Sequence, residues 1–191
     1  IISMSTSTSP VPGKLGQGLK FDGVNDYVDV GTASSLNITG ALTISAWVKT
    51  VTSDANDAIF TKGVYASTPG VEQYNLIFQG SAIPKITISN GTTRLLSLGP
   101  ANSAPNGVWN HIVGTYNGTD TTKLYVNGTQ VDSDTSAGFG SINSVSGIPT
   151  IGSYPGGLGS TAFIIGSLDD VRIYSRALSA TEIRQLYNMG R

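Results

Sequence analysis

Apolar residues along this chain recur at every second position in short runs, and Gly, Asn and Asp separate the runs. Leu19 and Phe21 alternate, Tyr27, Val28 and Val30 follow the GVND turn, and Leu42, Ile44, Ala46 and Val48 keep a period of two. That period is the mark of a half-buried strand. Further strands are expected at 58–62, 74–79, 85–89 and 94–98, with Asn90-Gly91 as a two-residue hairpin turn between the last two. A meander follows from Trp109 to Tyr116, with turns at Asn117-Gly118 and Asn127-Gly128 and strands at 123–126 and 129–131. Trp47 and Trp109 both fall in alternating apolar strands, so both indoles are expected to be largely buried. One long strand, 162–174, comes after a Pro- and Gly-rich loop at Pro155 to Gly159.

The period then changes. Ser179 and Glu182 have the spacing of a capping box, in which each side chain bonds the other residue's backbone N–H, and Leu178 and Ile183 fit the accompanying hydrophobic staple. Ile183, Leu186 and Tyr187 share one helical face, so a short C-terminal helix should dock on the strands. At the other end, Ile1 to Pro12 is rich in Ser, Thr and Pro and reads as a linker or a vector-derived remnant. The expected division is a linker over 1–12 and one domain over 13–191. A start at Ile1 rather than Met suggests a piece of a longer product, whose other modules would be neighbours of this one.

Composition agrees with an all-β fold: 24 of 191 residues are Gly and only 12% are charged. Eleven basic and 12 acidic side chains leave a net charge of −1, which provides no footprint for nucleic acid. No apolar run reaches the roughly 18 residues a membrane-spanning helix needs, so no membrane insertion is expected. Cysteine is absent, which removes disulfides, thiolate metal sites and cysteine nucleophiles.

Four phrases, in order, carry a resemblance: GKLGQGLKFDGVNDYVDVG, LTISAWVKT, WNHIVGTYNG with KLYVNGTQV, and IIGSLDDVRIYSRALSATEIRQLYN. Together they resemble the LamG-like domains of the concanavalin A-like lectin/glucanase superfamily, from Gly13 to Asn188. The resemblance implies a two-sheet antiparallel jelly-roll sandwich whose first and last strands are neighbours. It also implies a lectin, carbohydrate-binding module, adhesin or interaction domain of a secreted or cell-surface protein. Fold does not choose among these, so sites must.

Catalysis finds little support. A glucanase of this fold needs two nearby carboxylates, and the chain's two glutamates, Glu72 and Glu182, are far apart in sequence, the second engaged in the helix cap. Asp132 and Asp134 lie in a loop-like SDTSAG stretch, and Asp169 and Asp170, as neighbours on a strand, point to opposite faces. His111 is the one histidine, and packing beside a tryptophan is its expected role. A hydrolase-like enzyme is the remotest of three readings. The leading one is a non-catalytic, extracellular glycan-binding module, with Tyr65 and Tyr154 as stacking rings in Gly- and Pro-rich loops and Gln73 and Asn75 as polar neighbours. The alternative for each tyrosine is packing onto its own loop. The second reading is an adhesive module that contacts a cell-surface protein.

Four sequons occur, at Asn37, Asn90, Asn117 and Asn127, and turn chemistry accounts for the last three. Finally, FDGVND and SLDD supply hard oxygen donors to strands that should be adjacent. A structural calcium is therefore expected, with Asp22, the Gly23 carbonyl, Asn25, Asp169 and Asp170 as ligands, and LamG-like domains often carry calcium near this edge. The alternative is that Asp22 and Asn25 only shape a turn.

Overall fold

The computed structural model describes residues 9–52, 55–64, 69–80, 82–154 and 162–191. In chain order the strands are β1 (Ser9–Pro12), β2 (Gln17–Asp22), β3 (Val28–Asp29), β4 (Leu42–Thr50), β5 (Ala55–Gly63), β6 (Glu72–Gln79), β7 (Pro84–Ser89) and β8 (Arg94–Leu98). They continue as β9 (Asn110–Tyr116), β10 (Thr121–Val126), β11 (Thr129–Thr135), β12 (Thr150–Ile151), β13 (Ser153–Tyr154), β14 (Ala162–Phe163) and β15 (Ile165–Tyr174), and helix α1 spans Ala180–Met189. The larger sheet has the order β1-β2-β15-β4-β9-β10-β11 and the smaller β3-β12-β5-β6-β7-β8, with β13 and β14 as a separate pair. Every pairing is antiparallel. This is the expected jelly-roll sandwich.

The core lies between the two sheets, where alternation puts it. Phe21, Leu42, Ile44, Ala46, Val48, Ile112 and Leu124 of the larger sheet meet Phe60, Tyr74, Leu76, Phe78, Ile86, Ile88 and Leu95 of the smaller, all essentially buried. Gly114 faces the same core, and a Cβ there would collide with the Ile86 side chain. The missing side chain is what lets the sheets close at that point.

Several local expectations are corrected. Ser9–Pro12, assigned to a linker, forms β1, with Ser9 opposite Lys20 and Pro12 opposite Gln17. Proline lacks a ladder donor but is tolerated on an edge strand, which is where β1 lies. The Asn90 turn is longer than two residues: Ser89 pairs with Arg94, and Asn90 Oδ1 accepts from the Thr92 and Thr93 amides. Asn127-Gly128 is the two-residue turn expected, with φ of 52° and 78° between the paired Val126 and Thr129. Asp132 and Asp134 are not in a loop but in β11, where Asp132 Oδ2 accepts from the Leu98 amide and ties the edge strands of the two sheets together. The expected long strand at 162–174 is broken at Ile164, whose amide bonds the Gly152 carbonyl, and bulges between Asp169 and Arg172.

Helix α1 forms with its capping box complete: Glu182 N donates to Ser179 Oγ, and Ser179 N donates to Glu182 Oε2 at 2.8 Å. Hydrogen bonds from Arg176 and Ser179 hold the Glu182 carboxyl well below the usual carboxylate range. Leu178 and Ile183 pack against Val113 and Tyr125, so the helix covers the outer face of the larger sheet over β9 and β10. Ser179→Ala should destabilise the fold by about 1 kcal/mol, read as a lower urea midpoint at unchanged m-value. An unchanged midpoint would show that packing alone holds the helix.

Candidate functional site

The structure brings two of the four expected sugar contacts together, but inside the protein. Tyr154 is 1% exposed, and its hydroxyl donates to Glu72 Oε1 and accepts from Asn75 Nδ2 at 2.9 Å. Glu72 also takes a hydrogen bond from Asn75 and an ion pair from Arg94. A buried carboxylate is tolerable when several donors converge on it, and the tyrosine ring fills the space beside Ala58 and Ile77. Tyr154 is therefore a packing residue and not an exposed stacking ring. Gln73 is also buried, and its Nε2 donates to the Ile38 carbonyl at 3.0 Å. Tyr65 lies outside the described residues.

The five residues expected to hold calcium are not brought to one place. Asp22 pairs with Ile165, while Leu168 pairs with Leu19, so Asp169 stands level with Gly18. Four residues of strand, about 13 Å, separate the two carboxylates along the ladder. Each has other work. Asp22 Oδ1 accepts from the Val24 and Asn25 amides and shapes the turn in which Gly23 adopts φ of 77°. Asp169 Oδ2 accepts from the Lys14 and Leu15 amides at 2.7 Å each, fastening the β1–β2 turn to β15. Asp170, at φ of 50° in the bulge, pairs with Arg172. No group of three or more acidic or histidine side chains fit to hold a metal occurs among the described residues.

The expected packing role of His111 has a specific form. Its Nε2 shares a 2.9 Å hydrogen bond with Ser45 Oγ, and its ring lies 5.1 Å from that of Trp47 and 6.2 Å from that of Tyr187. Serine and histidine at this distance suggest a nucleophile and its base, but both are 1% exposed. A substrate atom cannot reach them.

An accessible aromatic does exist, where the sequence suggested a buried one. Trp109 is half-buried, not enclosed as expected, because β9 begins only at Asn110 and the indole lies at the margin of the sheet. Its place follows from the register. Lys20 pairs with Ser167, Ser167 with Lys49, and Val48 with Asn110, which sets Trp109 beside Lys49. Leu19 and Leu168 turn toward the core, so Lys20, Ser167 and Lys49 turn outward. Helix α1 covers this outer face over β9 and β10, and none of its residues lines the cleft beside the row. What remains is a cleft lined by Pro12, Lys20, Lys49, Val51, Trp109 and Ser167. Val51 and Val108 beside it are 64% and 52% exposed. Lys20 and Lys49 are exposed, and neither forms an ion pair with a described residue. An indole with hydrogen-bond donors around it can hold a ring that has one apolar face and a polar rim.

Known structures with the same fold are numerous. The carbohydrate-binding module of family 40 from a Ruminococcus gnavus IT-sialidase, solved bound to α2,3-sialyllactose, has 18% identity and a TM-score of 0.74, with 89% of this chain and 96% of that one covered. Domain 4 of AbnA, a GH43 extracellular arabinanase from Geobacillus stearothermophilus, solved with arabinotriose, has 17% identity and a TM-score of 0.72, covering 98% and 87%. The binding domain of Paraclostridial Mosquitocidal Protein 1 has 20% identity and a TM-score of 0.70; the match takes in 99% of this chain but 47% of that one. The chain thus spans about half the length of that binding domain. No curated protein matches its sequence. A family model does, over residues 22–184, and by that match, most of its length, the chain belongs to the concanavalin A-like lectin/glucanases superfamily, in its Laminin_G_3 family.

Proposed function

We propose that the chain is a non-catalytic carbohydrate-binding module of a secreted or cell-surface protein, and that its ligand rests on the Trp109 cleft. The observation that carries this reading is the half-buried Trp109 at the uncovered end of the larger sheet, with Lys20, Lys49 and Ser167 in one row beside it. The apolar face of a sugar stacks on the indole, while the two ammonium groups and the hydroxyl bond its oxygens. The sugars held by the sialidase module and by the arabinanase domain support a binding role for this fold.

A glycan array probed with the full chain tests it. At least one oligosaccharide should bind saturably, and Trp109→Ala should weaken that binding about tenfold or more with little change in thermal midpoint. Undiminished binding in the variant would remove the cleft from consideration. Exposed Val51 and Val108 favour a protein partner as the second reading. Binding to a cell-surface protein that survives enzymatic removal of its glycans would establish that reading instead.

A further inference from the structure

Buried charges in this fold are mostly accounted for. Asp169 accepts two backbone amides, Asp26 accepts the Asp22 amide, and Glu72 pairs with Arg94. Lys62 differs. It is 3% exposed, near the end of β5, opposite the core-facing Tyr74. Its Nζ donates to one neutral oxygen, Asn37 Oδ1, at 2.7 Å, and it forms no ion pair with a described residue. An ammonium has three N–H donors, so two remain for something else.

These donors have a place to go. Lys62 lines a pocket together with Thr32, Asn37, Ser144, Ser146 and Gly147. Among the described residues, no carboxylate is in that lining. The hydroxyls of Thr32, Ser144 and Ser146 are additional donors. One wall is set by a close approach of backbones: a Cβ on Gly147 would stand 3.0 Å from the Gly63 Cα, and Gly63 itself has φ of 104°. Side chains at either glycine would push the wall away from Lys62. Burial pushes the Lys62 ammonium below its ordinary pKa, with no acidic group among the described residues acting the other way. A buried cation without a counter-charge, opening on hydroxyl donors, is complementary to an oxyanion.

We propose that this pocket is an anion-recognition site that receives the carboxylate of an acidic sugar, with Lys62 as its counter-charge and Thr32, Ser144 and Ser146 as further donors. The choice of a sugar as the carrier of the carboxylate rests on the glycan-binding reading above; the oxyanion chemistry stands without it.

The test titrates the full chain with glucuronate, with its neutral twin glucose and with acetate, followed by the Lys62 side-chain NMR resonance and the thermal midpoint. Glucuronate should shift the resonance saturably and raise the midpoint, and glucose should do neither. Lys62→Met should weaken the glucuronate response about ten- to a hundredfold, the effect of losing a hydrogen bond to a charged group. That variant keeps the stem and removes a poorly paired buried charge, so it should melt no lower than the parent. Should it not fold, the exposed Ser146→Ala provides the second reading, with a smaller loss of affinity. Equal responses to glucuronate and glucose, or an undiminished glucuronate response in Lys62→Met, would overturn the site. Acetate binding as tightly as glucuronate would keep the oxyanion pocket and overturn the sugar. Trp109→Ala should leave the glucuronate response intact, so loss of the stacking cleft and loss of this pocket are told apart.

Discussion

Replacing Trp47 with alanine is expected to lower the free energy of unfolding by about 3–5 kcal/mol, the usual range for a large aromatic removed from a packed site. The ring projects outward from β4 and is still only 1% exposed, because other elements close over it. Tyr187 of α1 stacks on it at 5.6 Å, His111 lies at 5.1 Å and Lys14 Nζ stands 5.2 Å above its face. Gly190, just past the helix, has no room for a side chain over the indole. One ring thus holds together the helix, the β1–β2 turn and the sheet, and its loss opens a cavity that none of the three can fill. Urea unfolding followed by far-UV circular dichroism measures the effect. A loss under about 1 kcal/mol would mean that α1 docks without the indole. Trp109→Ala, at a half-buried site, should be much milder, and the contrast between the two variants separates fold from ligand binding.

Acid should weaken the fold through His111. Burial, aided by the charge of Arg172, pushes its pKa from 6.5 down to about 4. The folded state therefore holds the imidazole neutral while the unfolded chain protonates it at about 6.5. Stability from this group is complete above pH 6.5 and declines as pH falls from there to about 4, where the folded protein also takes up the proton. Over that window the loss is about 3 kcal/mol. Glu182, whose carboxyl is held low by Arg176 and Ser179, loses its contribution mainly below this window and does not mask the effect. Denaturation series between pH 4 and 8 should show the decline, and His111→Gln, which can keep a hydrogen bond to Ser45, should flatten it. A parent protein equally stable at pH 4.5 and 7 would rule out the mechanism.

Much of the architecture was legible in the sequence, because its causes are local. Alternation from Leu42 to Val48 marks a strand whoever its neighbours are, Asn127-Gly128 specifies its turn by backbone conformation alone, and Ser179 with Glu182 makes a cap from residues three apart. The site was hidden because its causes are distant. Tyr154 follows a turn and looks exposed, yet its partners Glu72 and Asn75 come from a strand about eighty residues earlier. Asp22 and Asp169 lie on paired strands, but only the register shows that they stand at different levels. Trp109 reads as the first residue of a buried strand until the starting point of β9 is known. Lys62 gives no sign at all in sequence, since a lysine at a strand end is ordinarily solvated. Prolines concealed β1 for a different reason: the rule against them in strands does not apply at an edge.

The position of β15 between β2 and β4 bears on how the protein is made. The β1–β2 hairpin precedes the other strands of the larger sheet in the chain, yet among the described residues its further neighbour in that sheet is a strand that ends at Tyr174. Until that strand leaves the ribosome, β2 and β4 each present a bare edge, and the hairpin has nothing to join. Closure of the larger sheet is thus a late event that spans nearly the whole chain, the Asp169 contacts with Lys14 and Leu15 bridging 155 and 154 residues. Such topology places refolding on the order of milliseconds to seconds, with unpaired strand edges open to other chains in the meantime.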